Sequence, residues 1–165
     1  MAKITMKKRR QDKMFTGAKK MLRLETEINL VICQKTNIDD WVHFFKDHCS
    51  DYIYDLADKK DFSEFMLDAL TLDNPHEHES IGIIDYELAF HRLELKQLQD
   101  FTLLLDESTM IQNETAKWFE LILNLNPKNM ILLSSTQAGG EYVFEGYKNV
   151  ERLKAKMRQI WNLEI

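Results

Sequence analysis

Apolar positions along this chain alternate between short continuous runs and stretches with helical spacing. Residues 28–34 (INLVICQ) form a nearly continuous β-branched run, which is typical of a strand buried on both faces of a sheet. Residues 37–48 instead place Ile38, Trp41 and Phe45 on one helical stripe. The same reasoning predicts strands at 28–34, 52–57, 81–86, 101–108 and 129–136. The predicted helices cover 5–26, 37–48, 61–70, 87–99, 113–125 and 147–163.

The order of these elements predicts the fold class. Strands that alternate with helices of about 10–15 residues indicate βαβ units and a mostly parallel sheet. We find no internal repeat or low-complexity linker, so we expect one α/β domain, a mostly parallel sheet flanked by helices. We divide it into a basic helical segment (1–27), a core (28–146) and a closing helix (147–165). Residues 137–146, which contain a glycine pair, are predicted to be a loop.

Polar residues stand at the predicted ends of three strands. They are Asp85 and Tyr86, Asp106 and Glu107, and residues 134–136. Ligands of open α/β sheets bind beyond the carboxyl ends of the strands, so we expect these groups to converge on one edge. The acidic pair follows an apolar run directly, as expected where a buried strand ends at a phosphate site.

Charge is distributed unevenly within a net charge of −5. Residues 1–23 hold nine of the 22 Lys and Arg residues but one of the 27 Asp and Glu residues. The basic run Lys7, Lys8, Arg9 and Arg10 could contact nucleic acid or an anionic partner, or it could be an ordinary solvated helix face. The acidic remainder argues against a broad DNA-binding surface.

Other compositional features indicate a soluble protein of a reducing compartment. No apolar run approaches the roughly 18 residues that a membrane span needs, and no secretory signal is evident. Two cysteines, Cys33 and Cys49, make no disulfide framework. We therefore expect a cytoplasmic protein without a membrane partner.

Four segments resemble landmarks of the superfamily 2 helicases, particularly the SWI/SNF-type translocases, in the family's order. LLLDESTMIQNETAK is similar to motif II with its DExx box, and ILLSSTQ is similar to motif III. NLVICQKTNIDDWVHFF resembles motif Ia, and IGIIDYELAF resembles the segment before the box. These segments cover residues 28 to about 137 and look most like helicase-like proteins of bacteriophages. The resemblance implies a single RecA-like lobe.

The resemblance also implies roles for individual residues. In the family the first carboxylate of the box holds the magnesium of MgATP, and the second orients the attacking water; these would be Asp106 and Glu107. Ser134 and Thr136 would belong to motif III. Aligned by its helix, Lys13 falls where the phosphate-binding lysine belongs.

The phosphate loop itself departs from the family pattern. Asp12 and Met14 replace the glycine and the Ser or Thr that flank the lysine, and no glycine precedes Gly17. Without glycines the backbone cannot form the tight nest that binds phosphates. Gln137 replaces the proline of motif III, and we expect the family's second lobe to be absent. We therefore expect no active catalytic residue, a vestigial Lys13, no required cofactor and no tight binding of ATP and magnesium.

The acidic pair would then have lost its ligand. Two carboxylates at a strand end need only solvent or a nearby lysine, so we expect joint replacement of Asp106 and Glu107 by Asn and Gln to change stability by less than about 1 kcal/mol.

Histidines and a cysteine form a second candidate site. His48 and Cys49 precede one predicted strand, and His76 and His78 precede another. If these two strands are neighbours, the four side chains would meet at the amino edge and could bind a structural zinc ion. The spacing is not that of a standard zinc finger, and the alternative is an ordinary surface loop and helix end.

The sequence favours a non-catalytic binding or inhibitory protein derived from a helicase lobe. A phage or mobile element would encode it, and its partner would be a host protein or nucleoprotein complex that processes nucleic acid or provides defence, such as a CRISPR effector nuclease. One alternative is half of a split ATP-dependent DNA translocase. Another is a small DNA-binding module that uses the basic segment. Nucleotide binding separates the first two, and salt-dependent duplex binding identifies the third.

Overall fold

A computed structural model describes residues 2–49, 52–71, 79–106, 121–122, 124–134 and 140–145. Four helices stand in the described part of the chain, and two short 3₁₀ turns, Lys35–Asn37 and Leu93–Gln97, accompany them. The helices are α1 (Ala2–Arg23), α2 (Ile38–His48), α3 (Lys59–Leu70) and α4 (Tyr86–His91). The strands are β1 (Ile28–Cys33), β2 (Tyr52–Asp55), β3 (Ser80–Asp85), β4 (Thr102–Leu105), β5 (Asn129–Ser134) and β6 (Gly140–Glu145).

The strands form one six-stranded sheet in the order β2-β3-β1-β4-β5-β6. Strands β1 to β5 are mutually parallel, and β6 pairs antiparallel with β5. The prediction of a single α/β lobe with a mostly parallel, helix-flanked sheet is confirmed. Among the helices of the described residues, none combines the length and apolar character needed to cross a membrane.

Helices cover both faces of the sheet because the central strands are apolar on both sides. On one face α1 and α2 pack through Met14, Met21, Trp41 and Phe45 against alternate residues of β1, β3, β4 and β5. On the other face α3 and α4 pack against the intervening residues, together with Leu121, Ile122 and Leu125. Strands buried on both faces read as continuous apolar runs, which is why β1 and β4 were easy to find in the sequence.

Gly17 lets α1 approach the sheet closely. A Cβ atom at this position would lie 2.7 Å from Leu133 Cδ1 and 3.3 Å from Leu104 Cδ1. A glycine in a helix interior costs about 1 kcal/mol relative to alanine, and close packing is the reason to accept that cost here. The contact sets α1 against the last residues of β4 and β5.

Buried polar side chains connect the amino ends of three adjacent strands. Asn29, Thr102 and Asn129 stand side by side in the register of β1, β4 and β5. The hydroxyl groups of Thr26 and Thr102 are 2.6 Å apart, and Asn129 Nδ2 donates to Thr102 Oγ1 at 3.3 Å. Asn29 Nδ2 donates to the main-chain oxygen of Thr26 at 3.2 Å and to Glu79 Oε2 at 3.3 Å. We call Thr26, Asn29, Thr102 and Asn129 the polar ladder.

Two predicted elements differ from the structure. The prediction of a loop at 137–146 is wrong, because Gly140–Glu145 pairs along the whole length of β5. The single helix expected at 87–99 is also wrong, since α4 ends at His91 and Arg92 leaves the helical conformation. There the Arg92 guanidinium lies over the Phe62 ring at 4.6 Å, and the following 3₁₀ turn buries Leu95. Most of the predicted helix 113–125 and all of the helix 147–163 lie outside the described residues.

Candidate functional site

The carboxyl ends of β1, β3 and β4 meet at one edge of the sheet, as expected. The backbone N–H of Asp106 donates to the carbonyl of Ile32 at 2.9 Å, which continues the β1–β4 pairing to this residue. The Tyr86 hydroxyl, just after β3, donates to the main-chain oxygen of Asp106 at 2.8 Å. Asp85 Oδ1 accepts from the backbone N–H of Leu88 at 2.8 Å and so caps α4. Asp85 therefore serves the start of a helix, and Asp106 is the carboxylate at the centre of the edge.

Asp106 is a buried residue, with 4% of its surface exposed. Its Oδ2 accepts a hydrogen bond of 2.8 Å from the indole Nε1 of Trp41, on α2. Its Oδ1 lies 3.7 Å from the ammonium Nζ of Lys13, on α1. Of the two partners expected for this carboxylate, solvent or a nearby lysine, the structure shows the lysine. The side chain is held between two helices, because Lys13 of α1 and Trp41 of α2 both reach this carboxylate.

Lys13 lies in the middle of α1, which is one continuous helix of 22 residues. Inside an α-helix each backbone N–H donates to the carbonyl four residues earlier. The N–H groups of residues 9–13 are thus used within the helix, whereas a phosphate nest directs successive N–H groups at the ligand. The side chain of Lys13 is 19% exposed and reaches the end of β4. The sequence position that would correspond to a phosphate loop is helical here.

The structure brings Lys13 and Asp106 together but leaves several other candidate residues undecided. Glu107 and Thr136 lie outside the described residues, and Ser134 is described by its backbone alone, as the last residue of β5. The basic residues Lys7, Lys8, Arg9 and Arg10 lie on α1, and only their backbone is described.

The structure describes two of the four residues of the candidate zinc site, His48 and Cys49. His48 ends α2; its Nδ1 lies 2.8 Å from the main-chain oxygen of Phe44, and its ring stacks on Phe44 at 4.4 Å between centroids. The strands that follow the two clusters, β2 and β3, are neighbours as the hypothesis requires. His76 and His78 are outside the described residues. Within the residues that are described, no three His, Cys, Asp or Glu side chains are grouped so as to hold a metal. The zinc site stays a prediction.

Sequence reasoning missed one residue of this site, Trp41, whereas Tyr86 was expected at this edge without its bond to the main chain of Asp106. Trp41 was assigned to the apolar stripe of α2, which is correct, since it is fully buried. A buried indole N–H usually has an acceptor, and this rule could have prompted a search for a carboxylate. Its identity as Asp106, 65 residues away, depends on the sheet topology.

Comparison with protein families gives one match. Residues 4–138 match the family model of the SNF2-related domain. A comparison with individual curated proteins finds no match.

Proposed function

Because the chain belongs to the SNF2-related domain family, we propose that it is a non-catalytic binding protein that keeps the fold of a helicase lobe without using a nucleotide. The partner we propose is a host protein or nucleoprotein complex that processes nucleic acid, such as a defence nuclease, and the coding element is a phage or another mobile element. The bacteriophage-like motifs and the family's link to nucleic-acid machinery support this choice by analogy.

The observation that carries the proposal is the continuous helix α1. The family match begins at residue 4, so α1 covers the first part of the matched region. In a phosphate-binding loop, backbone N–H groups provide most of the contacts to the nucleotide, and glycines let them approach. A helix interior offers none of these donors, and the segment before Gly17 contains no glycine. We therefore expect the chain to lack a nucleotide pocket of the family's kind.

Turnover and binding measurements test the proposal. We expect no ATP hydrolysis above background by the purified chain, with or without duplex DNA, and no saturable binding of MgATP. Glu107→Gln is the matched control, because it removes the carboxylate that would orient the attacking water. Hydrolysis by the wild-type chain that disappears in Glu107→Gln would contradict the proposal.

A second candidate, one half of a split translocase, is supported by the pairing of Lys13 with Asp106. The family uses a lysine and a carboxylate at these positions to hold phosphate and magnesium, and their 3.7 Å separation keeps both at one site. This candidate predicts saturable MgATP binding that Lys13→Ala abolishes. The third candidate, DNA binding by the basic segment, predicts duplex affinity that falls steeply between low and moderate salt.

The proposed partner class also has a direct test. We expect the tagged chain to retain a host protein after nuclease treatment of the lysate, since the proposal assigns recognition to protein contacts. Identification of that protein, followed by reconstitution with the two purified components, would establish the pair. Retention that nuclease treatment abolishes would instead favour the DNA-binding candidate.

A further inference from the structure

We propose that Lys13 is a built-in counter-ion of Asp106, which replaces a divalent cation and makes the folding of this lobe independent of bound metal. The proposal rests on the proposed function, because it explains how a helicase lobe keeps its buried carboxylate in the absence of MgATP. It concerns the folded state of the free chain, so it can be tested without any nucleotide.

The contacts of Asp106 meet the needs of a buried anion. Its side chain is 6% exposed, and an ionised carboxylate in such a place is costly unless it is paired and hydrogen-bonded. Lys13 supplies positive charge at one oxygen, and Trp41 supplies an N–H donor at the other. Both groups are donors. Neither offers the lone pairs with which a protein ligand would help to coordinate a metal ion.

The position of Lys13 follows from the packing of α1. Gly17, one turn further along the helix, lies against Leu104 and Leu133, near the ends of β4 and β5. Met14 and Ala18 are buried on the same side of α1. The close approach at Gly17 places α1 near the sheet. One turn earlier along the helix, the Lys13 side chain reaches Asp106. The packing of α1 therefore positions the Lys13 ammonium beside Asp106. Because the ammonium is part of the chain, it cannot dissociate as a bound metal ion can.

The experiment compares thermal unfolding with EDTA and with about 10 mM Mg²⁺ or Mn²⁺ in four proteins. We choose the wild type, Lys13→Met, Lys13→Arg and Lys19→Met. Methionine keeps the length and helix propensity of lysine but removes the charge. Arginine restores the charge. Lys19 is exposed on the same helix, so Lys19→Met is a matched control for the loss of one positive charge from α1.

We expect the same Tm for the wild type with EDTA and with the divalent cation. In EDTA, Lys13→Met should lower Tm by about 5–10 °C, because a buried carboxylate loses its partner. A divalent cation that binds with a millimolar Kd should restore about 3–5 °C. Lys13→Arg should behave as the wild type, and Lys19→Met should show neither the loss nor the response. Adding Asp106→Asn to Lys13→Met should abolish the response, which locates the cation at this carboxylate.

Three results would overturn the proposal: a wild type stabilised by the cation as strongly as Lys13→Met, a Lys13→Met variant that does not respond, or a response that survives Asp106→Asn. If Lys13→Met does not fold in EDTA, refolding from urea with and without the cation makes the same comparison, and failure in both overturns the proposal. ATP hydrolysis by the wild type would instead contradict the proposed function, so the two failures are distinguishable.

Discussion

The indole Nε1 of Trp41 donates a hydrogen bond of 2.8 Å to the carboxylate Oδ2 of Asp106, which lies 65 residues further along the chain. The bond joins α2 to the residue that follows β4, and both of its partners are buried. Without this bond the buried indole N–H would lose its acceptor, and a buried polar group without a partner costs about 1–3 kcal/mol. The pair therefore contributes to stability whatever the site binds.

A double-mutant cycle measures this contribution. We expect Trp41→Phe to lower the free energy of unfolding by about 2 kcal/mol and Asp106→Ala to lower it by about 3 kcal/mol. The double variant should lose about 1–2 kcal/mol less than the two single losses together, because the residues are in contact. Urea unfolding gives all values, and the exposed Asp47→Ala should cost less than about 0.5 kcal/mol. Additive losses would show that the bond does not couple the residues.

The burial of Asp106 also changes the expectation for joint replacement of Asp106 and Glu107 by Asn and Gln. We now expect this double replacement to lower the free energy of unfolding by more than about 1 kcal/mol.

Tyr54 gives a prediction for alkaline pH. Burial raises the pKa of Tyr54 well above its usual range, and the hydrogen bond of 2.6 Å from its hydroxyl to Asp68 Oδ2 adds to the shift. The folded state therefore favours the protonated phenol. The protonated Tyr54 phenol makes its full contribution to the free energy of unfolding below the unfolded pKa of about 10. This contribution is lost as pH rises through the folded pKa.

We expect Tyr54→Phe to cost about 1.5 kcal/mol at neutral pH. The difference between wild type and Tyr54→Phe should shrink above pH 10 by up to about 1.4 kcal/mol per pH unit. Urea unfolding at a series of pH values measures it, and the comparison cancels the titration of the other tyrosines and lysines. A difference that stays constant through this range would contradict the assignment.

Two glycines should respond differently to alanine. A Cβ at Gly82 would lie 2.9 Å from two atoms of the rigid Phe65 ring and 2.8 Å from Leu56 Cδ1, so Gly82→Ala should cost about 1–3 kcal/mol. At Gly17 the nearest atom is the flexible end of Leu133, and alanine gains up to about 1 kcal/mol of helix propensity. We therefore expect Gly17→Ala to stay within about 1 kcal/mol of the wild type. Adding Phe65→Leu should cost less in the Gly82→Ala background than in the wild type, and equal costs would argue against a clash with the ring.

Zinc binding by His48, Cys49, His76 and His78 remains a prediction with a direct measurement. Elemental analysis of protein purified without a histidine tag should show about one zinc ion per chain. Cys49→Ser should lower metal content and Tm together, because binding energy would then contribute to folding. Cys33→Ser is the control, since Cys33 is fully buried in β1. Metal-free protein with an unchanged melting curve would identify the two clusters as ordinary surface.

The sequence predicted the elements whose periodicity was strong. Strands β1, β3, β4 and β5 are apolar on both faces, and a short continuous apolar run of this kind indicates a central strand covered by helices on both sides. It failed for β6, because GEYVFE begins at the second glycine of a glycine pair, which is typical of a loop, and its pairing with β5 cannot be predicted from local sequence. It also failed at Arg92, where a guanidinium–aromatic contact with Phe62 accompanies the break in the helix.

The candidate site was predictable in its positions but not in its contacts. Lys13 and Asp106 were placed by their resemblance to family motifs, and the structure brings them within 3.7 Å. The burial of Asp106 could not be predicted from its neighbours in the sequence, because it depends on the close approach of α1 to the sheet and on the contact with Trp41 of α2. Gly17 permits that approach, and both Gly17 and Trp41 were interpreted only as helix positions.

The polar ladder has a consequence for the opposite edge of the sheet. The three leucines of β4 are buried on both faces, so hydrophobic burial alone would accept a shift of this strand by one residue. Such a shift would move Thr102 away from Thr26 and Asn129 and break both of these buried hydrogen bonds, at about 0.5–1.5 kcal/mol each. The polar ladder at the amino edge therefore fixes the register of β4 to a single residue. That register in turn determines the position of Asp106 at the carboxyl edge.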